Sequence, residues 1–103
     1  MRNIVFRQRA QLDLESIYLH IAVALGSPKA AQDTVGSIYD ALDGIAQMPT
    51  LGASFAHDDL EREYRRTLVK NYWIYYSFDD EQIVVWRIFH TRQDIATHTV
   101  VEF

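Results

Sequence analysis

The chain has no cysteine, only two prolines and four glycines among its 103 residues, and no long apolar run. Each absence excludes something. Without cysteine there is no disulfide framework, no thiolate zinc site and no cysteine nucleophile. A membrane-spanning helix needs about 20 consecutive apolar residues, and no stretch here approaches that length. An excess of basic charge is missing too: ten Lys and Arg stand against fourteen Asp and Glu, a formal net charge of −4. Proteins that grip nucleic acid through phosphate contacts usually carry net positive charge, because counterion release supplies most of that affinity. The balance argues against a general nucleic-acid binder, yet leaves room for a local basic patch from Arg62, Arg65, Arg66, Lys70, Arg87 and Arg92.

The acid is unevenly placed. Residues 1–61 hold four basic and eight acidic side chains, whereas residues 62–103 hold six of each. What the chain does have is apolar content, 49% hydrophobic and 13% aromatic, which predicts a packed globule and not a disordered chain. Its length suits one domain, 1–103, with a single core. The N-terminal run Met1-Arg2-Asn3-Ile4-Val5-Phe6-Arg7 meets charge too early for a signal-peptide hydrophobic region, so a cytoplasmic address is expected.

Residues 3–7 read as a short strand. Ala10, Leu14, Ile17, Tyr18, Ile21 and Leu25 then recur at helical spacing and are expected on one buried helix face. Asp13 and Glu15 fall near its start, where the helix dipole favours negative charge. Gly26 stops this helix, Ser27 can cap the next and Pro28 suits a first helical turn. Ala31, Val35, Ile38, Leu42 and Ile45 carry the apolar stripe of a second helix, and so short a link implies an antiparallel hairpin. Met48-Pro49-Thr50-Leu51-Gly52 ends it, and residues 53–61 read as loop.

From Glu63 the pattern turns to β, over 63–70, 72–78 and 82–91, with turns at Asn71 and at Asp79-Asp80-Glu81. The expected fold is α+β: an N-terminal strand, a helical hairpin, then a three-stranded antiparallel meander forming one sheet. Simple alternation places Val84, Trp86, Ile88 and His90 on one face of the last strand, and Val85, Arg87 and Phe89 on the other. With both faces apolar this strand is expected to be central, and Arg87 then needs a partner or an opening to water. The strand empties into His90-Thr91-Arg92-Gln93-Asp94, a polar cluster that reads as a chemical site, a nucleic-acid contact or a solvated strand end.

Several pieces carry a resemblance: Ala10-x-x-Asp13-Leu14-x-x-Ile17-Tyr18, the Leu42 stripe, Pro49-x-x-Gly52, Tyr64-Arg65, Tyr72-x-Ile74-x-Tyr76, and Val85-x-x-Ile88-x-His90-x-Arg92-x-Asp94. In this order and spacing the chain resembles the RelE/ParE superfamily of toxins from type II toxin–antitoxin, or plasmid stabilisation, systems. The resemblance implies a β-α-α-β-β-β fold and a cognate antitoxin as partner. RelE-like members are ribosome-dependent mRNA endonucleases; ParE-like members keep the fold without cutting RNA, and characterised ones inhibit DNA gyrase. The His-x-Arg-x-Asp ending, the Pro-x-x-Gly break and the acidic balance resemble ParE. The tail from Ile95 to Phe103 also lacks the strongly basic or tyrosine-bearing segment of many ribonuclease members. A degenerate member that only binds its antitoxin is a further alternative. The apolar surface between hairpin and sheet is an expected antitoxin groove, and the acidic first part implies compensating basic residues on that partner.

If the chain cut RNA, it would need a base at the 2′-hydroxyl, positive charge on the phosphate and an acid for the leaving group. Arg65, Arg87 and His90 are the candidates, His90 being the side chain whose ordinary pKa suits the work. The simpler reading is that His90 hydrogen-bonds a neighbouring loop or Asp94 and fixes the strand end. Target or nucleic-acid contact falls to Arg65, Arg66, Lys70 and Arg92, although an Arg92–Asp94 surface pair is the plain alternative. Tyr72, Trp73, Tyr75 and Tyr76 could stack bases, but strand aromatics usually pack against one another. His20 and Tyr39 read as surface-helix positions, and His57 and His98 as isolated. No cofactor and no metal ligand set is expected.

Overall fold

A computed structural model describes residues 2–55 and 63–92. The first strand, β1 (Asn3–Phe6), leads into helix α1 (Gln8–Leu19), which continues as a π-helical turn over His20–Ala24. Gly26, at φ +67°, ends it in the left-handed conformation, and the Ser27 amide donates to the Ile21 carbonyl at 3.1 Å in a glycine C-cap. Ser27 immediately starts α2 (Pro28–Gln47): its Oγ accepts the Ala30 amide at 3.2 Å, with Pro28 in the first turn. A 3₁₀ turn, Pro49–Leu51, is followed by β2 (Ala53–Phe55), β3 (Tyr64–Val69), β4 (Tyr72–Phe78) and β5 (Gln82–His90).

The five strands form one sheet in the order β1-β5-β4-β3-β2. The first strand is parallel to β5 and the other neighbours are antiparallel. The sheet thus has one strand more than expected. Ala53–Phe55 lies in the stretch read as loop, because three residues are too few for alternation to show and the segment is recruited by backbone pairing with β3 at the sheet margin. The rest of that stretch, 56–61, lies outside the described residues.

The hairpin packs on one face of the sheet. Ala10, Leu14, Ile17, Ile21, Ala31, Ile38 and Leu42 form a continuous core with Ile74, Val85 and Ile88. Ile45 and Ala46 close its other end against Tyr76 and Ile83. Among the described residues the space between hairpin and sheet is filled by the chain's own side chains, which occupy the apolar surface expected as a groove. Leu25 also departs from expectation, being 64% exposed. Its amide donates to the His20 carbonyl, an i→i+5 bond, and this wider turn swings Leu25 off the buried stripe.

The last strand breaks the expected alternation. Tyr75 sits opposite Arg87 while Tyr76 sits opposite Val85, so Trp86 is an extra residue in a β-bulge. Opposed residues share a face, which leaves Ile83, Val85, Ile88 and His90 on the helix side. Val84, Trp86, Arg87 and Phe89 occupy the other side.

Candidate target-binding face

The face away from the helices is layered with aromatic rings and arginines. Register places Arg66, Tyr75 and Arg87 in one row across β3, β4 and β5, and Leu68, Trp73 and Phe89 in the next. Arg66 lies 4.1 Å from the Trp73 ring centroid and donates to the Tyr75 hydroxyl at 3.3 Å. Arg87 lies 4.4 Å from the Phe89 centroid, and Phe89 packs edge-on to Tyr75. Trp86 meets Tyr64 edge-on, donates its indole N–H to Ser77 at 2.8 Å and carries Arg7 at 4.8 Å from its centroid. Aromatic packing and cation–π attraction hold this face together. Burial raises the Tyr75 phenol above its ordinary pKa, opposed by the hydrogen bond and charge of Arg66.

Arg87 has a partner that sequence reading did not assign. The Asp13 carboxylate accepts from Arg87 Nε at 2.7 Å and Nη2 at 3.0 Å, and from the Ile88 amide at 2.9 Å. The topology explains the third bond. Pairing between β1 and β5 stops at Phe6–Val85, so the margin of β5 beyond that point lacks a neighbouring strand, and α1 covers it. Asp13 lies beyond the first turn of α1, which holds no acidic residue, so a dipole role gives way to one as tertiary anchor. The signal was in Ala10-x-x-Asp13-Leu14, a carboxylate beside a buried stripe.

Arg65 stands at the other end of the sheet. Its Nη1 donates to the Gly52 carbonyl at 2.7 Å and its Nη2 lies 3.5 Å from Glu63. The Gly52 amide in turn donates to the Tyr76 hydroxyl at 3.0 Å, which donates to the Pro49 carbonyl at 2.6 Å. A Cβ at residue 52 would overlap the Tyr76 hydroxyl and come within 2.9 Å of the Arg66 carbonyl oxygen. This is why the Pro49-x-x-Gly52 break ends in glycine. Burial raises the Tyr76 pKa, partly offset by the Gly52 amide and Arg65. Glu63, Arg65, Ser77, Phe78, Asp79, Gln82 and Val84 line an adjoining surface depression of about 520 Å³.

His90, Lys70 and Arg92 gather at the far end. Lys70, at φ +54°, turns β3 into β4, so the left-handed residue of this turn is Lys70 and not Asn71. The Thr91 amide donates to the Asn71 carbonyl at 2.8 Å, which holds the two turns together. His90 Nδ1 accepts the Arg92 amide at 3.0 Å, and the ring packs edge-on to Tyr72. Asp94 lies outside the described residues, as do Arg62, His57, His98 and the tail from Ile95 to Phe103. The described structure thus brings His90, Lys70 and Arg92 to one end, Arg66 and Arg87 to the middle and Arg65 to the other end. From Tyr72, opposite His90, to Tyr76, opposite Arg65, is four residues along β4, about 13 Å at strand rise. Among the described residues no three His, Asp or Glu side chains come together as a metal ligand set, and no helix is long and apolar enough to cross a membrane.

This fold, a two-helix hairpin on one face of a sheet with a parallel first strand, is shared with solved toxin–antitoxin systems. The chain superimposes on a chromosomal ParDE system from P. aeruginosa with a TM-score of 0.69 at 22% identity, covering 87% of this chain and 96% of that one. It also matches the RelBE2 toxin–antitoxin complex from Mycobacterium tuberculosis, with a TM-score of 0.57 at 17% identity, over 86% and 96% of the two chains. Comparison with curated protein sequences gives no match. The family model for the ParE toxin of the type II toxin–antitoxin system parDE matches residues 4–95, and the chain belongs to that family.

Proposed function

We propose that this ParE-family toxin acts in the cytoplasm by binding and inhibiting DNA gyrase, and that a cognate antitoxin neutralises it. The observation that carries the reading is the ParE match, which runs from β1 through the strand ending in His90. The neighbouring structures are themselves toxin–antitoxin systems, which supports the antitoxin half.

Geometry supports binding over RNA cleavage. Cleavage needs an acid, a base and a cation converging on one phosphodiester. Arg65 is engaged by Gly52 and Glu63, Arg87 by Asp13, and His90 Nδ1 by the Arg92 amide. The surface chemistry suits a protein partner instead: half-buried Arg66 on Trp73, half-buried Arg65 at the rim of the depression, and exposed Lys70 and Arg92 at the paired turns.

Gyrase supercoiling and ribosome-dependent mRNA cleavage, measured side by side with the purified toxin, test this. Loss of supercoiling or accumulation of broken DNA, with mRNA intact, is the expected result. Cut mRNA that becomes intact with a folded His90→Ala protein would overturn the reading in favour of a ribonuclease.

A further inference from the structure

Strand β1 ends at Phe6, where the Arg7 amide makes a last bond to the Val85 carbonyl at 2.9 Å and the chain turns into α1. The next residue of β5 is Trp86. As the extra residue of the bulge it has no opposite number on β4, and a bulge re-aims the side chain it carries. The indole meets the joint between strand and helix. Arg7, Gln8, Arg9 and Trp86 line a surface cleft there of about 230 Å³, apart from the depression beside Arg65. Neither of its arginines belongs to the polar clusters that the sequence pattern marks.

In a chain of net charge −4, this cleft is lined by two guanidinium groups, a carboxamide and an indole, with no carboxylate among the described residues. Arg7 lies 4.8 Å from the Trp86 ring centroid. Stacking holds a guanidinium by its flat face and leaves its in-plane N–H groups to an acceptor. The indole N–H is already given to Ser77, so Trp86 serves as a platform. Asp13, one turn along α1, is committed to Arg87 and the Ile88 amide. The first turn of α1 holds no acidic residue and Arg7 at its N-cap makes no side-chain cap bond, so two cations stand where the helix dipole favours negative charge. Such breaches of local preference mark functional positions. Paired guanidinium groups select an oxyanion, and a tetrahedral phosphate takes forked N–H donors well. Small-molecule sites occupy about 300–1,000 Å³, and this smaller cleft suits one group of a larger ligand in place of a whole cofactor.

We propose that the cleft formed by Arg7, Arg9 and Trp86 is a phosphodiester-binding site through which the toxin holds a backbone phosphate of DNA. The choice of DNA rests on the gyrase reading above, since that target itself holds DNA. One phosphate grip leaves the acidic chain a poor general nucleic-acid binder, yet sets its position on a strand that a partner presents. A fluorescein-labelled duplex of about 12 base pairs, titrated with the full-length toxin at about 50 mM salt and followed by anisotropy, is the probe. Arg7→Ala and, separately, Arg9→Ala are each expected to weaken binding about tenfold, alike for all sequences, and to lower the salt slope by about one. Lys29→Ala removes the same charge from the exposed start of α2 and is expected to change nothing. Inorganic phosphate at constant ionic strength competes, and a duplex with a neutral methylphosphonate backbone does not. Arg9→Glu separates binding from folding: it is expected to abolish binding while raising the melting temperature, because an acidic residue then stands in the first turn.

Absence of duplex binding, affinity indifferent to both arginine variants, or an equal loss with Lys29→Ala overturns the proposal. So does competition by the neutral-backbone duplex. Tighter binding of a single-stranded RNA of the same length overturns the choice of DNA, and preferential capture of a Glu-rich peptide overturns it in favour of a carboxylate. The gyrase reading fails separately. A toxin that binds the duplex through Arg7 and Arg9 while supercoiling proceeds untouched sinks that reading and leaves the phosphate site standing, whereas gyrase inhibition at full strength by the Arg7→Ala/Arg9→Ala protein sinks only the cleft.

Discussion

Replacing Asp13 with alanine is expected to unfold a large part of this protein's stability margin although the residue lies on a helix near the surface. The carboxylate accepts three hydrogen bonds, two from Arg87 and one from the Ile88 amide. The side chains of Asp13 and Arg87 are 17% and 11% exposed, so the pair is largely withdrawn from water. Removing one partner of such a pair costs about 3–5 kcal/mol, because the other charge stays behind in a poor solvent. An amide left without an acceptor adds about 1–3 kcal/mol when fully buried. Residual exposure and the contact of Arg87 with the Phe89 ring soften both effects, and about 3 kcal/mol is the expected total. At about 4–8 °C per kcal/mol for a domain of this size, the melting temperature should fall by about 12–24 °C. Asp13→Asn keeps an acceptor and should lose about half as much. Urea melts followed by tryptophan fluorescence, run as a cycle with Arg87→Met, separate the pair from its members. The double variant is expected to be more stable than Asp13→Ala alone, since no guanidinium is then stranded. A loss below about 1 kcal/mol for Asp13→Ala, or strict additivity in the cycle, would refute the reasoning.

Tyr76→Phe removes the hydroxyl that joins the Gly52 amide to the Pro49 carbonyl, and should cost about 2–3 kcal/mol in the same urea melts; a neutral outcome would mean that water replaces it. Lys70→Gly relieves a left-handed φ of +54° and should raise the melting temperature slightly, by about 0.5–1 kcal/mol of stability, while Lys70→Val should lower it; a fall with glycine contradicts the turn geometry. Tyr72, Tyr75 and Tyr76 all have pKa values raised by burial above the ordinary 10.0, so the folded state holds their protons more tightly than the unfolded chain does. Their contribution is complete below pH 10 and is lost as pH climbs through the unfolded value towards the folded ones. Stability measured from pH 9 to 12 should fall faster for the native protein than for the Tyr75→Phe variant, and parallel curves would refute this.

Reading the chain locally succeeded where local physics suffices. The helical hairpin followed from two apolar stripes and the Gly26-Ser27-Pro28 junction, whose C-cap, N-cap and first-turn proline all form as their residue types require. The three long strands followed from β-branched and aromatic runs, and the turn at Asp79 from its side chain accepting the amides of Glu81 and Gln82, which also lowers its pKa. These are decided within a few residues, so the sequence by itself determined them. The family could be read on the same footing, because its markers are spaced positions along one chain.

Everything that turns candidates into a site depended on long-range packing. Alternation failed at Trp86 because a bulge is a property of two strands, and it moved Ile88 to the core face and Trp86 beside Arg87. Asp13 looked like a helix-dipole residue until β1 proved too short to cover β5, leaving an amide and a guanidinium for its carboxylate to satisfy. Arg65, Arg87 and His90 shared chemical type in the sequence, yet strand order spread them along the sheet and gave each a polar contact within the chain. A linear pattern states which groups a chain owns. Which of them meet is set by register, strand order and where a neighbouring element ends, and only the tertiary structure decides those.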